Sequence, residues 1–210
     1  MNPMHKEDYE VRSIPYEQAV PWFLYKHYSK RVPGSVMYSF GLFKDLNLIG
    51  VCSYGMSPNS NMNEIGGLRV LELNRLVIED NLQNAASFFI AKTFSFLKNY
   101  VLVSYADDRQ GHKGFIYQAT NWIYTGESVG GQLLETRDGF VHKRAYDQRE
   151  NKAEILGKIN GAKHRYFYVP GKDSSVIEKI KQRFPEKPYP KGENRRYDAG
   201  KELSKQTILF

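Results

Sequence analysis

The chain of 210 residues is short of several things, and each shortage excludes a class of protein. It has one cysteine, Cys52, so it holds no intrachain disulfide and no cysteine-based zinc site. No apolar run reaches the roughly 18–20 residues needed to cross a bilayer as a helix. The first residues, MNPMHKEDYEVR, are charged and carry no apolar stretch of the secretory kind. There is no internal repeat and no low-complexity tract. The reading that follows is a soluble protein of a reducing compartment, the cytoplasm, with no membrane partner.

What is present fits one globular domain. Hydrophobic residues make up 41%, aromatics 14% and charged residues 25%, the ordinary proportions of a chain that buries a core. The charge is uneven. Residues 140–210 hold 17 Lys+Arg against 9 Asp+Glu, a net of +8, while residues 1–139 hold 13 against 14, a net of −1; together they give the overall +7. A neutral body with a basic C-terminal third points to a polyanionic partner, DNA or RNA. The division expected is a core over 1–150 and a basic extension over 151–210, packed on or wrapping that core.

Pattern gives the elements. Glu10–Ile14 reads as a strand, and Pro15–Tyr28 as a helical segment interrupted by Pro21. Val36–Phe43 and Leu48–Tyr54 read as a hairpin, Gly55–Gly67 as a loop and Val70–Ile78 as a strand. Apolar residues at Leu82, Ala85, Ala86, Phe89, Ile90, Thr93, Phe94 and Leu97 recur with helical spacing. Tyr100–Tyr105 is a buried type of strand that ends in a polar loop. Gly114–Asn121 reads as a short helix and Trp122–Thr125 as a strand. Gln132–Glu135 and Val141–Tyr146 should pair across an Asp-Gly turn. Ile155–Ile159 and Val176–Phe184 read as helices, with Arg165–Val169 as a strand between them. The sum is an α/β protein, a mixed sheet flanked by helices.

Four places carry chemistry. Asp107 closes an apolar strand, where ligands of open α/β sheets lie; it is a candidate base or a loop-ordering carboxylate. Ser104, three residues earlier, belongs to the same strand end. Tyr117 follows on the short helix, either as a proton donor or as a packed aromatic. Glu72-Leu73-Asn74-Arg75-Leu76 places polar groups inside a core strand, where they need partners. Arg75 suits a phosphate or a carboxylate. His27 is a metal ligand, a substrate contact or a satisfied helix-end histidine; His112 and His142 add no ligand spacing to it. Cys52, in an apolar strand, reads as an inert buried thiol. Tyr166, Phe167 and Tyr168 stack bases or alternate between core and surface.

Taken in order, Leu71–Leu76, the helix Ala85–Leu97, Val103-Ser104-Tyr105-Ala106-Asp107, Gly111-His112 and Gly114-Phe115-Ile116-Tyr117-Gln118-Ala119 resemble the Mom family of bacteriophage DNA-modification proteins, relatives of GNAT acyltransferases. His27-Tyr28 is similar to the family's N-terminal pattern. The resemblance covers about residues 15–146. It implies a GNAT-like fold and transfer of a carbamoylmethyl-type group to the N6 amine of adenine, protecting phage DNA from restriction. It implies Asp107, Tyr117 and Arg75 as active-site residues, and His27 as the residue linked to iron.

A departure from ordinary acetyltransferases lies at Asp80-Asn81-Leu82-Gln83-Asn84-Ala85. Where those enzymes have a glycine turn that cradles CoA phosphates, this chain has Gln83 behind an acidic residue. Asn81, Gln83 and Asn84 are the cofactor candidates there. An aminoacyl donor such as glycyl-tRNA fits the glycine-derived group, with acetyl-CoA as the alternative. Adenine N6 is paired and stacked in duplex DNA, so the base must be flipped out. Tyr105, Trp122 and His112 are expected to wall such a base, with Lys163, Arg165, Arg195 and Arg196 gripping phosphates. Asp107 as base and Tyr117 as acid are expected to converge on one cleft. The rivals are an acetyltransferase acting on protein, tRNA or a small amine, and a non-catalytic nucleic-acid-binding module. Monomer and homodimer both remain open.

Overall fold

The computed structural model describes residues 6–27, 29–79, 84–108, 111–129, 132–137, 139–147, 150–159 and 161–192. Strand β1 (Tyr9–Ser13) leads into helix α1 (Tyr16–Pro21), which stops at its proline and continues as a π turn over Trp22–Lys26. Strands β2 (Tyr38–Lys44) and β3 (Asn47–Met56) form the expected hairpin, followed by the short β4 (Glu64–Ile65) and the long β5 (Leu68–Ile78). Helix α2 (Ala85–Thr93) ends in a 3-10 turn and is followed by β6 (Tyr100–Asp107), α3 (Phe115–Gln118) and β7 (Ile123–Val129). Then come β8 (Leu133–Thr136), β9 (Gly139–His142), α4 (Lys143–Asp147), β10 (Ile155–Ile159), β11 (Ala162–Tyr168) and α5 (Ser174–Arg183).

The main sheet runs β1-β2-β3-β5-β6-β11-β7, with β4 on β5; β8, β9 and β10 make a separate three-stranded sheet. Among the described residues every pairing is antiparallel except β5 with β6. Two expectations are corrected. Residues 155–159 are a strand, not a helix: Gly157 is paired with Glu135 of β8, and glycine is a poor helix former. The division at residue 150 does not separate an extension from a core, because β11 lies inside the main sheet between β6 and β7.

Strand alternation gives the sheet two unlike faces. On one, Leu71, Leu73, Leu102, Ala106 and Tyr166 pack with Phe89 and Ile90 of α2 and with Trp122. On the other, Val70, Val101, Val103 and Phe167 pack with Val176 and Ile180 of α5, while Val51 and Val77 pack with Ala19, Trp22 and Phe23. We call these the α2 face and the α5 face. Asn74 is an extra residue in β5, since Ser53 pairs with Arg75 and Tyr54 with Leu73. Arg75 therefore lies on the same side as Val77, the α5 side. Among the described residues no helix is long and apolar enough to cross a membrane.

Candidate active site

The site begins where the parallel ladder of β5 and β6 stops. Strands β5 and β6 pair from Arg69 with Tyr100 as far as Glu72 with Val103. Beyond that pair β5 runs on beside β3 and β6 beside β11, no longer bonded to each other. A wedge opens at the carboxyl ends of two parallel strands, where ligands of α/β sheets gather.

Hydroxyls line the α2 side of the wedge. Ser104 is 1% exposed, and its Oγ lies 2.9 Å from Leu73 O and 2.8 Å from the Tyr117 hydroxyl. A carbonyl only accepts, so the serine proton serves Leu73 and the phenol proton closes the second bond. The serine thus replaces a ladder bond lost to the opening. Aromatic packing fixes the Tyr117 ring, whose centroid is 5.1 Å from that of Trp122 and 5.0 Å from that of Tyr166. Helix α3 can come this close because its N-cap is Gly114, at φ +76°; a Cβ there would meet the Tyr166 ring at 2.5 Å. The Tyr166 hydroxyl donates to Lys113 O at 2.5 Å and secures the same turn.

Charged groups line the α5 side. Alternation puts Tyr105 and Asp107 there with Val103, and Lys163 and Arg165 opposite them on β11. Glu72 of β5 shares this side. Burial raises the Glu72 carboxyl above its usual range, and the Ser57 hydroxyl, Lys163 and Arg75 pull it back. Burial and the nearby Glu72 charge raise the Tyr105 phenol. His112 is lowered by burial, and Asp107 opposes that. His27, 5% exposed, is pushed down to about 3, first by burial and then by the positive charges of Arg75, His112 and Arg31. At neutral pH it is an uncharged imidazole.

Asn74 and Arg75 fasten the chain after His27 over this side of the sheet. Arg75 Nε and Nη2 donate to Arg31 O at 3.3 and 3.2 Å, and Nη1 donates to Asn74 O at 2.6 Å. Asn74 Nδ2 donates to Ser35 O at 2.8 Å, while Ser53 Oγ donates to Asn74 Oδ1 at 2.7 Å. Backbone carbonyls thus hold Arg75, and its charge also acts on the Glu72 carboxyl, one of the carboxylates the sequence allowed for.

Several expected roles change. Asp107 and Tyr117 do not meet on one face: Tyr117 joins Ser104 on the α2 side, and Asp107, 8% exposed, turns to the α5 side near His112. Trp122 is 0% exposed and cannot stack on a base; it is a core residue behind Tyr117. Tyr166 and Phe167 are likewise buried. Arg165 is pinned, with Nε 2.9 Å from Thr125 Oγ1 and its guanidinium 4.3 Å above the Phe184 ring. Tyr105, His112 and Lys163 are half-buried on the charged side. Asn84 caps α2 in a left-handed conformation with no side-chain cap bond. Tyr28, Asn81, Gln83, Arg195 and Arg196 lie outside the described residues.

The iron that the resemblance attaches to His27 finds no support here. His27 Nδ1 is engaged by Ser29, 3.0 Å from its backbone nitrogen and 2.8 Å from its hydroxyl. Among the described residues no three His, Cys, Asp or Glu side chains converge on one point. Glu72, which the sequence offers as one polar group of a core strand needing a partner and not as a site residue of its own, joins the residues on the charged side.

Fold and site together define a class: a mixed α/β domain whose sheet opens at one parallel pair over bonded hydroxyls, with charge on the opposite face. The chain matches the Mom protein family over residues 8–191 and belongs to that family. It is 32% identical over 190 residues to the methylcarbamoylase Mom of Escherichia phage Mu, covering 79% of this chain and 77% of that protein. Among solved structures it is similar to a probable acetyltransferase from Staphylococcus epidermidis, with a TM-score of 0.47 and 10% identity over 76% of this chain and 98% of that one. An N-acetyltransferase from Staphylococcus aureus follows, with a TM-score of 0.45 and 10% identity over 76% of this chain and 97% of that one.

Proposed function

We propose that this protein transfers a carbamoylmethyl-type group to the N6 amine of adenine in double-stranded DNA, in the cytoplasm of a phage-infected bacterium, and so shields phage DNA from restriction. Membership of the Mom family and the likeness to a methylcarbamoylase support group transfer. The net charge of +7, concentrated in the last third, supports a polyanionic substrate. The observation that carries the reading is the bonded Tyr117–Ser104 pair at the opening of β5 and β6.

Chemistry explains why such a pair is needed. The N6 lone pair is delocalised into the purine ring, so the amine attacks only a strongly activated carbon. A donor with a thioester or ester carbonyl, of the acetyl-CoA or glycyl-tRNA type, supplies one. As its bond to sulfur or oxygen breaks, negative charge develops on the leaving atom. A fixed phenol that already donates a hydrogen bond can redirect it to that atom with little reorganisation. The base, flipped out of the helix, approaches from the α5 side, where Tyr105 offers a ring and Lys163 a positive charge.

The test is mass spectrometry of nucleosides from plasmid DNA co-expressed with the wild type and with Tyr117→Phe. A modified deoxyadenosine is expected with the wild type, reduced at least a hundredfold in the variant, in keeping with the 10²–10³-fold effect of losing one positioned donor. Unmodified DNA with the wild type overturns the reading; an acetyl mass on a protein or polyamine in the same cells would then establish an acetyltransferase instead. The mass added to the nucleoside separates an acetyl from a glycine-derived donor.

A further inference from the structure

We propose that Glu72, rather than Asp107, takes the proton from the acceptor amine. This rests on the transfer reading above.

Position is the first argument. Glu72 is the last residue of β5 paired to β6, and Leu73, the next residue, supplies the carbonyl that anchors Ser104 and hence Tyr117. Consecutive residues of a strand point to opposite faces. The carboxyl and the hydroxyl pair therefore stand on the two sides of the same opening, one peptide apart. Asp107 is four residues beyond the Glu72 partner Val103, roughly 13 Å along the strand at 3.3 Å per residue. An amine entering the wedge from the α5 side meets Glu72 at its apex, where the two strands part, and Asp107 only further along β6.

Access and surroundings agree. Glu72 is half-buried, whereas Asp107 is 8% exposed and faces His112. Around Glu72 stand the Ser57 hydroxyl from the loop after β3, Tyr105 of β6, Lys163 of β11 and Arg75 of its own strand. The ring of Tyr105 gives a flipped base a surface one strand away. Lys163 and Arg75 keep the carboxylate available for a proton, and burial raises its affinity for one, the compromise a general base near neutral pH requires.

The step balances. A bond forms between N6 and the carbonyl carbon of the thioester or ester donor. The bond from that carbon to sulfur or oxygen breaks, and its electron pair leaves with that atom. The N6 proton passes to a Glu72 oxygen, and the Tyr117 hydroxyl supplies a proton to the leaving atom. Glu72 releases its proton to water, and water restores the phenol. The first product is therefore an N6-acyl adenine; with a glycyl donor, attack of the glycyl α-amine on C6, with the original N6 leaving as the amide nitrogen, turns it into the isomeric carbamoylmethyl group.

The experiment compares Glu72→Gln, Glu72→Asp and Asp107→Asn with the wild type in the full chain. The readouts are the fraction of adenine modified in co-expressed plasmid, the thermal midpoint of the purified protein, and anisotropy of a labelled 30-base-pair duplex. Glu72→Gln is isosteric. It is expected to lower modification at least a hundredfold, with the midpoint and the duplex affinity held within 2 °C and twofold; loss of a general base is typically worth about 10²–10⁴. Modification by Glu72→Gln at more than a third of the wild-type level overturns the proposal, as does loss confined to Asp107→Asn. If Glu72→Gln lowers the midpoint by more than 5 °C, Glu72→Asp decides, because it keeps the charge but withdraws it by one methylene. A tenfold loss then supports the proposal, and wild-type modification overturns it. Absence of modified adenine with the wild type sinks the transfer reading instead, so the two failures are told apart.

Discussion

The two faces of the central strands are built from alternate residues of the same chain, yet they behave as different media. On the α2 face Tyr117 stands among Trp122, Tyr166 and, behind them, Phe94 and Tyr168, and buried hydroxyls bond to each other, as Tyr54 does to Thr93 at 2.7 Å. On the α5 face the same strands carry Glu72, Arg75, Tyr105 and Asp107, with Lys163 and Arg165 beside them. One face is a rigid wall that fixes a hydroxyl pair. The other is a charged, partly exposed face, which the proposed reaction uses as its entrance. Group transfer to a poor nucleophile calls for both, since preorganised donors act best where nothing must move and the acceptor must still arrive from water.

The comparison is tested most severely at Trp122. Its ring is 0% exposed and forms the back of the Tyr117 site. Trp122→Ala is expected to cost about 3–5 kcal/mol of folding stability, read from urea unfolding at pH 7.5. Arg165→Ala on the opposite face should cost far less. Equal losses at the two positions would mean that the α5 face is as much a structural wall as the α2 face.

The entrance should be more sensitive to pH than the wall. His27 takes up a proton in the unfolded chain near its ordinary 6.5 but resists it in the fold until about 3. The unfolded state therefore binds more protons through that interval. Stability is fully present above 6.5 and is lost as pH falls toward 3, at about 1.4 kcal/mol per pH unit, or about 2 kcal/mol by pH 5. His112, also lowered by burial, adds in the same direction. Urea midpoints at pH 7.5 and 5 should separate His27→Asn from the wild type. Asparagine keeps an acceptor for the Ser29 N–H and has no proton to gain, so its loss of stability on acidification should be smaller. An identical loss in both proteins would place the acid sensitivity elsewhere.

Much of this was legible before any coordinates. The mixed sheet follows from alternating and apolar runs, and α2 from apolar residues at helical spacing, because local periodicity records which side is buried. Ser104 and Tyr117 were visible as polar residues at a strand end and on the next short helix. Their partnership depends on Gly114 letting α3 approach Tyr166, and their separation from Asp107 depends on the parity of β6. Parity is present in the sequence, but it becomes informative only when the ends of the strand are known. Residues 155–159 were misread because their strand partners, β8 and Glu135, are set by tertiary pairing rather than by a local pattern. Trp122 looked like a stacking platform since composition alone does not separate an exposed ring from a sealed one. Arg75 looked like an anion anchor because the carbonyl that holds it, that of Arg31, is 44 residues away, which no side-chain pattern announces.

The mildest contrast lies within the entrance, between Lys163 and Arg165, alternate residues of β11 on the same face. Arg165 is committed to the fold: Nε is bonded to Thr125 Oγ1, Nη2 lies 3.4 Å from Thr125 O, and the guanidinium covers Phe184. A cation over a ring together with one well-formed hydrogen bond is worth about 1–2 kcal/mol, so Arg165→Ala should lose that much stability. Its charge is already desolvated and turned inward, so the salt dependence of duplex binding should hardly change. Lys163 is half-buried beside Glu72, with a flexible stem that can swing its ammonium toward a phosphate. Lys163→Ala should leave the urea midpoint nearly unchanged and reduce the slope of log affinity against log salt by about 1, the signature of one lost phosphate contact. Titrating a labelled duplex at several salt concentrations, with unfolding curves on the same samples, reads both effects. If Arg165→Ala flattens the salt slope while Lys163→Ala lowers stability, the assignments are reversed, and the phosphate track crosses β11 two residues further from the mouth of the wedge.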